Sequence, residues 1–348
     1  MLSLMEAGAA ALFLAIVFTP ALIRSLRRRE IGQKIREDGP ATHVVKAGTP
    51  TTGGVLIVLA GIFGYLIGHL GGYRTFTRSG ILVLILVVAC GLIGFADDLI
   101  GVRNARNLGL NKRTKFAAQV LVAVGFALAA WKWAGATTVI SFTRYNLPGW
   151  HVGPVVWVIF AAFVVVATAN AVNLTDGLDG LAAGSSTFCF AVLAVIGYWQ
   201  FRHYAIYRVG PSQATALDLG LVAVALVGGC LGFLWWNAAP ARIIMGDTGS
   251  LSIGAGLAGL CLLMNLDLLL VVIGGLFVFE TVSVIAQVIS FRVFHRRVLR
   301  MAPVHHHFEL LGWPETTVLI RFWILAGLCA ALGIGLFYGD FVKIAKVL

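Results

Sequence analysis

Two adjacent carboxylates, Asp97 and Asp98, close a long apolar run where packing alone gives no reason for charge. Three other polar islands share that oddity. One is Asn170-Ala-Val-Asn173-Leu-Thr-Asp176-Gly-Leu-Asp179-Gly180, the second Gly246-Asp247-Thr248-Gly249-Ser250, and the third Pro303-Val-His305-His306-His307-Phe-Glu309. Neighbouring helical residues point about 100° apart, so Asp97 and Asp98 take different jobs if a helix continues through them. A three-residue step drifts about 60°, so Asn170, Asn173, Asp176 and Asp179 trace an oblique stripe of amides and carboxylates. Donors and acceptors together suit recognition of a base and ribose; the ordinary alternative is a helix start capped by Thr175 or Asp176. The glycine-rich Asp247 segment leads into an apolar run. There, free backbone N–H groups suit phosphate and a lone carboxylate suits Mg²⁺. His305, His306 and His307 diverge too much to make a zinc site by themselves. Beside Arg296, Arg297 and Arg300 they offer a cationic, hydrogen-bonding surface for phosphate. Lys46, ahead of Gly48-Thr-Pro-Thr-Thr-Gly-Gly54, is a further phosphate contact or simply a membrane-surface anchor. Glu280 shares a helix face with Ser283 and Gln287; for Glu280 the expected role is bonding between helices, while Gln287 lies near enough to the polar end to reach the site.

The elements that must position these groups are membrane helices. Hydrophobic residues make up 59% of the chain, charged residues 12%, and mean hydropathy is +0.92, whereas soluble domains carry about 25% charge. The apolar runs are continuous and about 20 residues long, the length of a transmembrane helix, without barrel-type alternation. The expected fold is therefore all-α and polytopic. Ten spans are predicted, near 5–23, 52–70, 80–96, 116–134, 154–170, 181–199, 217–236, 250–264, 267–290 and 318–338, in a single integral-membrane domain covering 1–348. The turn at Met264 to Asp267 leaves almost no loop. With this count, seventeen Lys and Arg fall in loops on one side and eight on the other. The positive-inside rule then puts both termini outside and all four polar islands at cytoplasmic ends.

The net charge of +11 comes from those loops and lacks aromatic platforms beside it, which excludes nucleic acid as the expected partner. Five scattered cysteines have neither disulfide nor metal spacing. The basic cluster Arg24 to Arg29 follows the first apolar run and does not precede it, so that run is expected to be a retained helix and not a cleaved leader.

The acidic motifs, Lys46-Ala-Gly-Thr-Pro-Thr-Thr-Gly-Gly54, Met245-Gly-Asp247-Thr-Gly-Ser250 and Arg300-Met-Ala-Pro-Val-His-His-His-Phe-Glu-Leu-Leu-Gly-Trp-Pro-Glu315 together resemble the bacterial phospho-N-acetylmuramoyl-pentapeptide transferases. The match runs from about Gln33 to Tyr338, and the triple-His segment separates this family from the wider polyprenyl-phosphate sugar-1-phosphate transferases. The resemblance implies a ten-helix enzyme of the bacterial inner membrane, commonly a homodimer, with a cytoplasm-facing site. It would use UDP-MurNAc-pentapeptide and undecaprenyl phosphate to make lipid I and UMP with Mg²⁺. Asp97, Asp98 and Asp247 would be the catalytic carboxylates and Asp247 a metal ligand. Lys46, Asn170, Asn173, Asp176, Asp179 and Gln287 would line the nucleotide side, and the three histidines would lie near the phosphates. Ile244 departs from the pattern, standing where many members carry Phe.

Such a reaction breaks one phosphoanhydride and forms another. A phosphate monoester with a second pKa of about 6 is already mostly dianionic at neutral pH, so the larger need is neutralising charge at the pyrophosphate. Asp247 with Asp98 is expected to hold the metal, and Asp97 to orient or deprotonate the lipid phosphate. The rival mechanism makes one Asp a covalent nucleophile. Two other functions fit parts of the pattern: a transferase using UDP-GlcNAc, and a lipid or ion transporter.

Overall fold

The computed structural model describes residues 1–29, 48–70, 75–103 and 109–346; Lys46 lies outside them. Thirteen helices and one hairpin follow in chain order among these residues. They are α1 (Leu2–Arg28), α2 (Gly54–Leu70), α3 (Arg78–Arg103), α4 (Lys112–Lys132), β1 (Val139–Arg144), β2 (Leu147–His151), α5 (Gly153–Thr175), α6 (Leu181–Arg202), α7 (Tyr204–Tyr207), α8 (Gln213–Asn237), α9 (Gly246–Leu263), α10 (Leu269–Ile273), α11 (Gly275–Phe294), α12 (Val304–Leu310) and α13 (Glu315–Ala345). Nine of the described helices are long and apolar enough to cross a membrane, and α2 is a shorter apolar helix of 17 residues. These ten coincide with the ten runs of the sequence, so the chain is an all-α polytopic membrane protein.

Three boundaries differ from expectation. α3 runs on through Asp97 and Asp98 to Arg103. α5 continues to Thr175, whose hydroxyl bonds back to the Ala171 carbonyl at 2.8 Å, so neither Thr175 nor Asp176 caps the next helix. That place is taken by Gly180 at φ +81°, a left-handed conformation that glycine adopts without strain. The ninth span is broken into α10 and α11 at Gly274, because the Gly274-Gly275 pair weakens helix propensity there.

α9 is the axis of the bundle: 89% of its apolar window is buried inside the protein, against 22% for α11 and 28% for α1, which face lipid. Such enclosure requires small residues where helices cross. At Gly94 a Cβ would overlap the Asp247 carbonyl, and at Gly54 it would overlap the Gly249 backbone. α3 and α2 therefore pass directly against the first turn of α9. The segment before α2 is tied to the same place, since Ile244 N–H donates to Pro50 O at 2.8 Å and Gly53 N–H to Ile244 O at 2.9 Å.

Alternation of the long helices puts the end of α3, the start of α4, the end of α5 and the start of α9 at one end of the bundle. The hairpin, joining α4 to α5, lies at the other, where β1 and β2 pair antiparallel and Asp267 accepts from Ser141 N–H at 2.9 Å and Ser141 Oγ–H at 2.6 Å.

Candidate active site

The first turn of α9 organises the polar end. Gly246 has φ +71°, and a Cβ there would overlap Asp98. With that Cβ absent, Asp98 sits over the helix start. Its Oδ1 accepts Asp247 N–H at 3.0 Å, and Oδ2 accepts Thr248 N–H at 3.1 Å and Thr248 Oγ1–H at 2.7 Å. Asp98 thus satisfies backbone groups that a helix leaves open at its N-terminus. A carboxylate offers about four acceptor positions, so Oδ1 keeps one in reserve.

Asp97, one residue earlier, faces a different set of partners. Its Oδ1 accepts Leu110 N–H at 3.0 Å, and its Oδ2 lies 3.6 Å from Lys115 Nζ. Lys115, in the first turn of α4, also makes a close ion pair with Asp247 Oδ2. Asp247 Oδ1 accepts Asn173 Nδ2–H at 2.8 Å, and the same amide reaches Ser250 Oγ at 2.9 Å. The two neighbouring acids accordingly have separate partners, as their divergent directions on a continuous helix require.

Despite those separate partners, one oxygen from each of Asp97, Asp98 and Asp247 lies within 4.8 Å of the others, and all three side chains are partly exposed. At an effective dielectric of about 20, two like charges about 5 Å apart repel by about 3 kcal/mol. Three carboxylates beside the one ammonium found there among the described residues leave negative charge uncompensated. A compact set of hard oxygen donors with surplus negative charge fits a small divalent cation such as Mg²⁺, which is held by few carboxylates and keeps water and substrate oxygens.

Around this centre the polar islands meet by direct contact. Asn173 links the end of α5 to Asp247, and two residues after α5, a Cβ on Gly177 would overlap His305 Nε2. Asn170 donates to Gln119 Oε1 at 2.7 Å, one helical turn further into the bundle. Asp176 is partly exposed at the end of α5. Asp179 is buried, its Oδ2 accepting Ala241 N–H at 2.9 Å, which secures the α8–α9 connection.

The triple-His segment does not present one uniform surface. His305 is fully buried with its Nδ1 3.1 Å from Glu280 Oε1, His306 Nδ1 meets Glu309 Oε2 at 2.7 Å, and His307 Nδ1 accepts Arg300 N–H at 3.1 Å. Gln287 is occupied by the backbone of Val298 and Leu299. Lys115 is the group that sequence reasoning passed over, since it read as one of many loop cations. Its position one turn into a helix entered directly from the Asp97-Asp98 connection was the available signal.

A family profile described as Glycosyl transferase family 4 matches residues 80–265. Among curated relatives, the phospho-N-acetylmuramoyl-pentapeptide-transferase of Frankia alni is 48% identical over 347 residues, covering 97% of each chain. That of Saccharopolyspora erythraea is 48% identical over 358 residues with 99% of each chain covered, and that of Streptomyces griseus 46% identical over 351 residues with 97% of this chain and 98% of the relative covered.

Proposed function

This chain belongs to the phospho-N-acetylmuramoyl-pentapeptide-transferase family, and from that premise we propose that it moves phospho-MurNAc-pentapeptide from UDP to undecaprenyl phosphate, forming lipid I and releasing UMP. The observation that carries the reading is the convergence of Asp97, Asp98 and Asp247 with Lys115 and Asn173 at one end of the bundle. An oxygen of the lipid phosphate attacks the sugar-bearing phosphorus of the donor, the bond to the UMP oxygen breaks, and one phosphoanhydride replaces another without ATP.

Catalysis then consists of positioning and of charge neutralisation between two anions. Asp247, with the acceptor position that Asp98 Oδ1 keeps in reserve, would hold Mg²⁺. Bound there, the ion would stabilise negative charge on the pyrophosphate oxygens. Lys115 would neutralise the reacting phosphates from the other side, and Asn173 would hold Asp247 in orientation. Asp97, fixed by Leu110 N–H and facing Lys115, would orient the lipid phosphate and accept its remaining proton. Asp98 fastens the α9 start and so also sets Asp247 geometry. The Asn170 to Asp179 stretch and Lys46 are assigned to the nucleotide side, with Gln287 bearing on it through the backbone of Val298 and Leu299 that it holds, and His306 and His307, both partly exposed, to the phosphates.

The cation-rich loops flank the carboxylate end, which supports a site open to the cytoplasm, both termini outside and residence in the bacterial inner membrane; the resemblance adds a homodimer. Purified protein in detergent, given undecaprenyl phosphate and Mg²⁺, should release UMP from UDP-MurNAc-pentapeptide and not from UDP-GlcNAc. Preference for UDP-GlcNAc would replace the donor, and absence of UMP with either would overturn the enzymatic reading. Exchange of labelled UMP into the donor without lipid phosphate would replace direct attack by a covalent aspartyl intermediate.

A further inference from the structure

α11 faces lipid over most of its length, yet it carries one polar stripe, Glu280, Ser283 and Gln287, at spacings of three and four that share a face. All three grip one segment. Gln287 Oε1 accepts the N–H groups of Val298 at 3.0 Å and Leu299 at 2.9 Å, and its Nε2 donates to Leu299 O at 3.0 Å. Ser283 Oγ accepts Val304 N–H at 3.1 Å, at the start of α12. Glu280 Oε1 lies 3.1 Å from His305 Nδ1, with both side chains 0% exposed. On the far side of the ring, Nε2 has no hydrogen-bond partner among the described residues, and a Cβ on Gly177 would overlap it.

Backbone holding by Ser283 and Gln287 needs no charge, so Glu280 adds something else. A buried carboxylate in a lipid-facing helix is costly unless paired, and its partner is a histidine with no exposed surface. The 3.1 Å approach is a close polar contact and not an aligned hydrogen bond, since neither Nδ1 nor either Glu280 oxygen has a hydrogen-bond partner among the described residues, and it sets where the ring sits. Gly177, which leaves room for the Nε2 edge of that ring, lies in the turn between Asp176 and Asp179.

We propose that Glu280 is a positioning residue which, through His305, braces the Asp176–Asp179 turn, so that His305 shapes the donor pocket from behind while His306 and His307 face the site. The proposal rests on assigning that turn to the donor. Gly177 is the third member of the brace, since any Cβ there would displace the imidazole.

The test compares Glu280→Ala and Glu280→Gln in the full chain. Glu280→Ala should raise KM for the UDP donor about 10-fold, with kcat and the KM for lipid phosphate little changed. Glu280→Gln keeps the shape and a polar oxygen beside Nδ1 and should recover most of the loss. Gly177→Ala, which pushes the brace from the other face, should give the same KM change, and the double variant should be no worse than either single one, as coupled sites require. Amide hydrogen exchange at 176–181 should quicken about 10-fold in Glu280→Ala, while amides around Asp218 stay unchanged. This readout needs no turnover, so a chain that uses another donor would fail the UMP assay and still pass here. Unchanged exchange at 176–181, or a loss confined to kcat, would overturn the proposal. If Glu280→Ala is not recovered folded, His305→Asn carries the same readouts with the same expected changes.

Discussion

The two ends of the bundle both hold buried or half-buried acids, and they treat them in opposite ways. At the end away from the aspartate cluster, Asp218 is fully enclosed. It is surrounded by His69 Nε2 at 3.0 Å, Thr77 N–H at 2.9 Å, Thr77 Oγ1–H at 2.6 Å and Tyr65 O–H at 3.1 Å. Asp340 is likewise matched, by Arg144 Nε at 3.0 Å and Thr143 Oγ1 at 2.7 Å. At the other end three carboxylates crowd together, partly open to solvent, with Lys115 as the cation between them. Acids that fasten a fold are surrounded by donors and sealed. Acids kept for a ligand are left in excess and accessible, at a cost that the rest of the fold must offset.

The comparison breaks most readily at Asp247. Asp247→Asn should lower UMP release about 10³-fold while thermal unfolding stays at or above the parent's, because a like charge leaves the cluster; near-normal turnover would remove the contrast between the two ends. Lys115→Met should cost about 10²-fold in kcat and, by removing a counter-charge, should also lower the melting temperature, which calorimetry in detergent can detect. The reverse signature belongs to the sealed end. Asp218→Ala should cost about 3 kcal/mol of unfolding free energy, since it strands His69 and Thr77, yet leave the kcat of the folded fraction close to the parent's. If that variant loses kcat without losing stability, the end is not merely structural.

The smallest effect concerns Asp267, which the structure places in the turn between α9 and α10 and not within a membrane-spanning helix, and burial there pushes its carboxyl up to about 7. Its folded pKa is above the ordinary value, so the folded state holds the proton longer than the unfolded chain, and stability falls as pH rises from about 4 to 7. Asp267→Asn should flatten that slope in denaturation series between pH 5 and 8. An unchanged slope would show that the Asp267 carboxylate stays ionised in the fold.

Much of this was legible from the chain alone. Ten apolar runs became nine long helices and one shorter one, α2, because a bilayer admits few other ways to satisfy a backbone. The four polar islands stood out for the same reason, since charge in such runs is costly wherever it has no task. Some details were not legible. That Asp97 and Asp98 diverge was legible but their partners were not: Gly246 and Gly94 let α9 approach so closely that Asp98 caps its helix while Asp97 faces Lys115. Three successive histidines read as one surface, but a short helix turns the first inward onto Glu280.

The amino-acid order by itself determined the number of spans, their alternation and hence which polar groups share an end of the bundle, because hydropathy and helix length are local properties. Tertiary structure alone decided which acid meets which partner, that Lys115 completes the cluster, and that His305 is internal. Those depend on the rotation and separation of helices far apart in the chain, set by where glycines on facing helices allow backbones to touch.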